Sequence, residues 1–220
     1  MQDIIEFIQK TVKDANAKGV VIGISGGVDS AVVGELCVRA LGKEKVIGLI
    51  MPSRFTPKED IDDAQSLTKK WNIVDKILPI YPDKDLILEN SPSIPSTDIA
   101  IGNFSARLRM CYLYYYANLL NYLVVGTTDK SENFIGYFTK YGDGGCDFEP
   151  IIHLTKTQIR ELAKKLELPE KIINKKSSPR LWEGHEAEKE LGITYETIDK
   201  IIEMHEKTEH KRNLPRCIND

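Results

Sequence analysis

The chain has 220 residues, 41% of them hydrophobic and 29% charged, and a formal net charge of −3. These proportions describe a globular domain able to bury its own core and exclude a disordered or collagen-like chain. Acids and bases are interspersed, so no basic surface for nucleic acid or for a membrane is expected.

The first element expected is a helix over residues 3–17, where Ile4, Ile5, Phe7, Ile8 and Val12 recur at helical spacing. The acids among these first residues do not make a secretory leader, and no run is long enough to span a bilayer. Gly19–Ile24 is a short β-branched run that reads as a buried strand. A glycine-rich turn follows, then an apolar helix over Ala31–Leu41 closed by Gly42. Val46–Ile50 reads as a second strand, Pro57–Trp71 as an amphipathic helix with acids in its first turn, and Val74–Ile80 as a third strand. Tyr81–Ile99 is rich in Pro, Ser and Asp and reads as loop with one short helix. Gly102–Leu120 is helical, Tyr122–Gly126 a fourth strand, and 134–150 a glycine-rich stretch without period. Thr155–Leu166 opens on Thr155-Lys156-Thr157-Gln158, a capping box. Residues 174–192 are irregular and polar, and Thr194–His205 is the last helix, followed by a basic tail. The four cysteines, Cys37, Cys111, Cys146 and Cys217, form no C-x-x-C pair. Neither zinc nor a disulfide framework is expected, and free thiols in a reducing cytoplasm are.

Strands alternating with helices imply an α/β fold, a three-layer α/β/α arrangement around a mainly parallel sheet. Ligands of such sheets bind beyond the carboxyl ends of the strands. The turn after the first strand lies there, as does Gly126-Thr127 after the fourth.

That first turn is Ser25-Gly26-Gly27-Val28-Asp29-Ser30. Adjacent glycines let backbone N–H groups approach an anion, and a helix N-terminus adds positive potential. Ser25 and Ser30 can donate to phosphate oxygens. Asp29 fits beside a phosphate only with a cation between them, which points to Mg²⁺. The loop lacks the lysine of a Walker A motif. It resembles the S-G-G-x-D-S signature of the ATP pyrophosphatase family, whose loop grips the phosphates that leave as pyrophosphate. The resemblance makes Gly23, Ile24, Ser25, Gly26, Gly27, Val28, Asp29 and Ser30 the expected ATP loop, on a Rossmann-like fold of the adenine-nucleotide alpha-hydrolase kind.

Four further segments narrow the resemblance. They are Gly102–Met110 (GNFSARLRM), Gly126–Glu132 (GTTDKSE), Gly136–Gly145 (GYFTKYGDGG) and Leu154–Gln158 (LTKTQ). In this order the chain resembles NAD synthetase, the ligase that amidates nicotinic acid adenine dinucleotide (deamido-NAD). The likeness implies Mg²⁺ held by Asp29 and Glu132, ATP contacts at Thr127, Lys156 and Ser178, and deamido-NAD contacts at Arg107, Lys140, Asp147, His210 and Lys211. Asp29 and Lys156 are the catalytic candidates. Arg107 and Arg109 cannot share a helix face; Arg107 is expected to face the site. Taken alone, Glu132, Lys140, Asp147 and the His210-Lys211 pair also read as ordinary solvated charges. The family's usual Gly-Gln-Thr-Asp-Glu run is here Gly184-His185-Glu186-Ala187-Glu188. This departure weakens the role given to Ser178. Residues 174–192 are the candidate lid.

The implied reaction joins ATP, deamido-NAD and ammonia in a single 1–220 synthetase domain without a glutaminase domain. Free ammonia is the expected nitrogen donor, a separate ammonia-supplying amidotransferase the alternative. A cytoplasmic homodimer is implied as well. Two rival readings are a tRNA- or nucleotide-modifying enzyme of the loop family and a nucleotide-binding sensor without catalysis.

Overall fold

The computed structural model describes residues 1–90 and 96–212, with side chains as far as residue 208. Helix α1 (Gln2–Asp14) leads into strand β1 (Gly19–Gly23), helix α2 (Val28–Leu41), β2 (Val46–Ile50), α3 (Lys58–Trp71) and β3 (Val74–Ile77). Then come α4 (Tyr81–Glu89), the long α5 (Asp98–Leu120), β4 (Tyr122–Val125) and α6 (Lys130–Ile135). The chain continues through α7 (Lys156–Lys165), α8 (Glu170–Ile173), α9 (Ala187–Leu191) and α10 (Tyr195–Arg212).

The four strands form one parallel sheet in the order β3-β2-β1-β4. β1 is central, which is why its Val-Val-Ile run is apolar on both faces. Val20 and Ile22 point to a core shared with α1, α2, α3 and α7; Val21 points to the opposite core, under α5. The sheet is therefore covered on both sides, as expected. Two helices lock together on the first side, where the Trp71 indole donates to Glu35 Oε2 at 2.6 Å. A buried indole N–H needs such a partner.

Several elements differ from the sequence reading: α1 ends earlier, at Asp14, α2 and α5 begin earlier, at Val28 and Asp98, and α10 runs on to Arg212. β3 stops at Ile77 because it is an edge strand whose Val74 and Ile77 lie exposed, and Ile80 turns inward to the second core. The short helix expected within 81–99 is α4, with Pro82 in its first turn, where a missing N–H costs nothing. Short helices α6, α8 and α9 occupy stretches too brief to show a period. Of the α5 tyrosines, Tyr112, Tyr114 and Tyr116 pack onto the second core, whereas Tyr115 is exposed. Cys37, Cys111 and Cys146 are free thiols; Cys217 lies outside the described residues.

Candidate active site

The loop between β1 and α2 is shaped by Gly26. Its φ is +77°, and a Cβ there would stand 2.4 Å from the carbonyl oxygen of Asp60 in α3. Only glycine satisfies both the left-handed backbone and that approach. Gly27 is the N-cap of α2 and supplies no side-chain cap. The first N–H groups of α2 thus keep no capping partner of their own, the property an anion site needs. Ser30 Oγ lies 3.0 Å from Ser25 Oγ and donates to the Gly27 carbonyl at 3.2 Å, which holds the loop in shape.

Beneath the loop sits Lys156. Its side chain is fully buried, and its Nζ lies 2.9 Å from Asp29 Oδ2, 2.9 Å from Glu132 Oε1 and 3.0 Å from Asp129 Oδ2. Its position is fixed from the backbone outward. Thr155 caps α7 in a reciprocal box with Gln158, as the sequence pattern suggests. The Lys156 N–H donates to Ser131 Oγ at 2.9 Å, and the Thr157 N–H to Asp199 Oδ2 of α10 at 2.8 Å. The ammonium also lies 4.8 Å from the centre of the Tyr195 ring, whose hydroxyl donates to Glu132. A lysine in a first turn works against the helix dipole; the carboxylates it meets supply the reason for it.

Charge in this cluster is unbalanced: three carboxylates face one ammonium. Burial works against the Lys156 cation, yet Asp29, Glu132 and Asp129 more than offset it and hold the proton on. Burial first, then Asp29 and Asp129, push the Glu132 carboxyl up to about 7 against the pull of Lys156. Asp129 is raised for the same chief reason, burial. The buried Asp29 Oδ1 has no hydrogen-bond partner. An unpaired carboxylate oxygen in a cluster with surplus negative charge suits a hard cation.

A cleft of about 470 Å³ opens above the cluster at the carboxyl ends of β1, β2 and β4. That volume accommodates a small-molecule ligand. Gly23, Ile24, Ser25, Gly27, Val28, Asp29, Ser30, Thr127, Glu132 and Ser178 all line it. The structure thus gathers these expected residues in one place, whereas Gly26 and Lys156 are not on the lining: Lys156 lies fully buried behind Asp29 and Glu132, which stand between it and the cleft. The 175–182 stretch forms the opposite wall. Lys175 Nζ meets Asp60 Oδ1 at 2.9 Å and Asp63 Oδ2 at 2.5 Å, and Arg180 Nε meets Asp60 Oδ2 at 2.8 Å. Ser178 Oγ donates to the His185 carbonyl and accepts the Arg180 N–H at 3.2 Å.

The expected dinucleotide contacts lie elsewhere. Arg109, not Arg107, is the arginine on the cleft wall: its Nε donates to the Met51 carbonyl at 3.0 Å, and burial, partly offset by Asp143, lowers its pKa to about 10. The expectation that Arg107 faces this cleft is corrected, because helix geometry turns its exposed side chain outward, where Nε donates to the Lys140 carbonyl at 3.1 Å. Lys140 is exposed and lies over Tyr141, 5.0 Å from the ring centre. Asp147 is engaged by its own fold: its carboxylate accepts the Val124 N–H at 2.7 Å and the Tyr114 hydroxyl at 3.0 Å. His210 and Lys211 fall in α10 with side chains outside those described. Asp129 and Tyr195 went unnoticed in the sequence. Asp129-x-x-Glu132 is a capping box, which would have flagged Asp129; nothing local marks Tyr195.

Comparison with known proteins agrees with this geometry. The family model described as NAD synthase matches residues 1–218. The chain is 50% identical to an NH(3)-dependent NAD(+) synthetase of Staphylothermus marinus, covering 96% of this chain and 88% of that one. Among solved structures, an NH3-dependent NAD synthetase from Campylobacter jejuni superposes with a TM-score of 0.80 at 38% identity, covering 99% of this chain and 86% of that chain. An NMN synthetase from Francisella tularensis gives a TM-score of 0.88 at 36% identity, over 100% and 97%. A family match over residues 1–218 and 50% identity to a relative covered to 88% mean that the chain belongs to the NAD synthase family.

Proposed function

We propose that this chain amidates the nicotinate carboxylate of deamido-NAD, using ATP and free ammonia and releasing AMP and pyrophosphate. A carboxylate is a poor electrophile, so it must first be activated. Attack of the carboxylate oxygen on the α-phosphorus of ATP gives an acyl-adenylate and expels pyrophosphate. Ammonia then displaces AMP from the acyl carbon. The observation that carries this reading is the uncapped loop of α2 directly above the Lys156 cluster, in a chain of this family.

The chain's own groups would act mainly by position and charge. The α2 N–H groups with Ser25 and Ser30 would grip the departing phosphates. Lys156 would keep Asp29 and Glu132 facing the cleft. A Mg²⁺ held by Asp29 and Glu132 would neutralise charge developing on pyrophosphate. Thr127 and Ser178 would contact ATP, and residues 174–192 would shield the adenylate from water.

The dinucleotide contacts fit a homodimer. Arg107, Cys111, Tyr115 and Leu119 follow one another at four-residue spacing along α5, and all four are exposed, Tyr115 by 62% and Leu119 by 65%. Covering that stripe with a second copy would put Arg107 and the neighbouring Lys140 at an interface. A cytoplasmic location follows from the substrates; among the described residues no helix is long and apolar enough to cross a membrane.

The test is incubation with ATP, Mg²⁺, ammonium and deamido-NAD, with nicotinate mononucleotide as a parallel acceptor because one structural relative is named an NMN synthetase. NAD and AMP in equal amounts are expected. Neither product above background, or ADP in place of AMP, would overturn the reading. Preference for the mononucleotide would replace the acceptor and keep the chemistry.

A further inference from the structure

Arg180 lies on the cleft wall, and its backbone is unusual. Its φ is +53°, a left-handed value that a residue with a long side chain seldom adopts. Three contacts hold it there. Ser53 Oγ donates to the Arg180 carbonyl at 3.1 Å, the Arg180 N–H donates to Ser178 Oγ at 3.2 Å, and Nε donates to Asp60 Oδ2 at 2.8 Å. A strained residue fixed from several sides, beside a binding cleft, points to a role for its side chain.

The Asp60 carboxylate is shared. Lys175 Nζ takes Oδ1 at 2.9 Å, and Arg180 meets Oδ2 through Nε alone rather than in a two-pronged pair. Nη1 and Nη2, with four N–H groups between them, make no hydrogen bond among the described residues. Neither is sealed from solvent, and the side chain is 28% exposed. Arg180 and Asp60 both line the cleft.

Charge and position decide what such a group can take. Asp60 and Asp63 together meet three cations, Lys171, Lys175 and Arg180, which leaves one positive charge in surplus. The cluster around Lys156 carries the opposite surplus. The turn of α3 that anchors Arg180 also touches the phosphate loop. A Cβ on Gly26 would stand 2.4 Å from the Asp60 carbonyl oxygen and 3.3 Å from Asp63 Cβ. A planar fork of unspent donors, positive and close to a loop of free N–H groups, suits phosphate oxygens.

We propose that Arg180 holds the β- and γ-phosphates of ATP and takes up the charge of the pyrophosphate that leaves. The step rests on the amidation reading above. The nicotinate carboxylate oxygen bonds to the α-phosphorus, and the bond from that phosphorus to the bridging oxygen breaks. The electron pair departs on pyrophosphate, and no proton moves. Negative charge grows on the departing phosphates, and a guanidinium held ready stabilises it. Asp60 is the positioning residue: it holds Nε and so aims the fork.

Calorimetric titration reads the site without catalysis, with pyrophosphate in the presence of Mg²⁺ as one probe and AMP, which lacks the outer phosphates, as the other. Arg180→Gln should weaken pyrophosphate binding about 10- to 100-fold and leave AMP binding unchanged. Exchange of labelled pyrophosphate into ATP, with deamido-NAD present, should fall at least as far. Arg180→Lys keeps an ion pair with Asp60 but spends its one ammonium there. It should melt with the parent and still bind pyrophosphate weakly, whereas a purely structural role predicts that lysine rescues both. Parental pyrophosphate affinity in either folded variant, or equal losses for pyrophosphate and AMP, would overturn the proposal. Should Arg180→Gln fail to fold, Arg180→Lys decides alone. A parent protein that binds pyrophosphate more tightly than these variants but shows no exchange would instead contradict the amidation reading itself.

Discussion

Gly26→Ala tests whether the phosphate loop is held by backbone geometry. The substitution meets two obstacles at once. Alanine at φ +77° costs about 1–2 kcal/mol. The new Cβ would also stand 2.4 Å from the Asp60 backbone oxygen, so the start of α3 must move. Forced displacement of packed backbone adds about 1–3 kcal/mol, for a total of about 2–5 kcal/mol. In a chain of 220 residues this lowers Tm by roughly 5–15 °C. Asp60 also anchors Lys175 and Arg180, so the shift would loosen the opposite wall of the cleft. Calorimetry together with ATP titration would measure both effects. Gly27→Ala is the control: its φ is −91°, and its Cβ would meet only the Ser25 hydroxyl, at 3.3 Å. It should stay within about 1 kcal/mol of the parent. A Gly26→Ala protein that melted with the parent and bound ATP equally well would refute the assignment of this loop geometry.

Lys156→Met should destabilise by about 3 kcal/mol or more, since it leaves buried carboxylates without their cation, and should abolish NAD formation; chemical denaturation and the product assay check the two effects. Asp147→Ala should cost about 1–3 kcal/mol because the Val124 N–H and the Tyr114 hydroxyl both lose their acceptor, read as a shift in urea midpoint. Asp63 gives a pH dependence: burial pushes its carboxyl up, but Lys171 and Lys175 outweigh this and hold it below the ordinary 3.8. Its stabilisation is therefore complete above that value and lost as pH falls through the lower folded value. Asp63→Asn should be less stable than the parent at pH 7, with the gap closing under acid below 3.8, as followed by thermal melts across pH. Leu119→Glu should convert a dimer to monomers in sedimentation if the α5 stripe is the shared surface.

The parts of this protein that were legible in its sequence are those set by short-range physics. β1, the turn after it and the cap of α7 follow from a β-branched run, two glycines and a Thr-x-x-Gln pattern. β3 was overextended because Leu78 to Ile80 are apolar for packing below the sheet edge, not for strand pairing. The site was legible where the motif is local, as at Asp29 and Ser30. Lys156 looked like a first-turn lysine pointing to phosphate; its full burial arises because α6 and α10 close around it, which no local pattern encodes. Arg107 and Arg109 show the same limit. Helical spacing says that they part company, but which one meets the cleft depends on how α5 is rolled against β1 and β4.

The chemistry proposed here is tested most directly by following one oxygen. With both oxygens of the nicotinate carboxylate of deamido-NAD labelled with heavy oxygen, passage through an acyl-adenylate transfers one labelled oxygen to the phosphate of AMP for each NAD formed. Mass spectrometry of AMP should show that single-label shift at full stoichiometry. Unlabelled AMP, or label appearing in inorganic phosphate beside ADP, would contradict it.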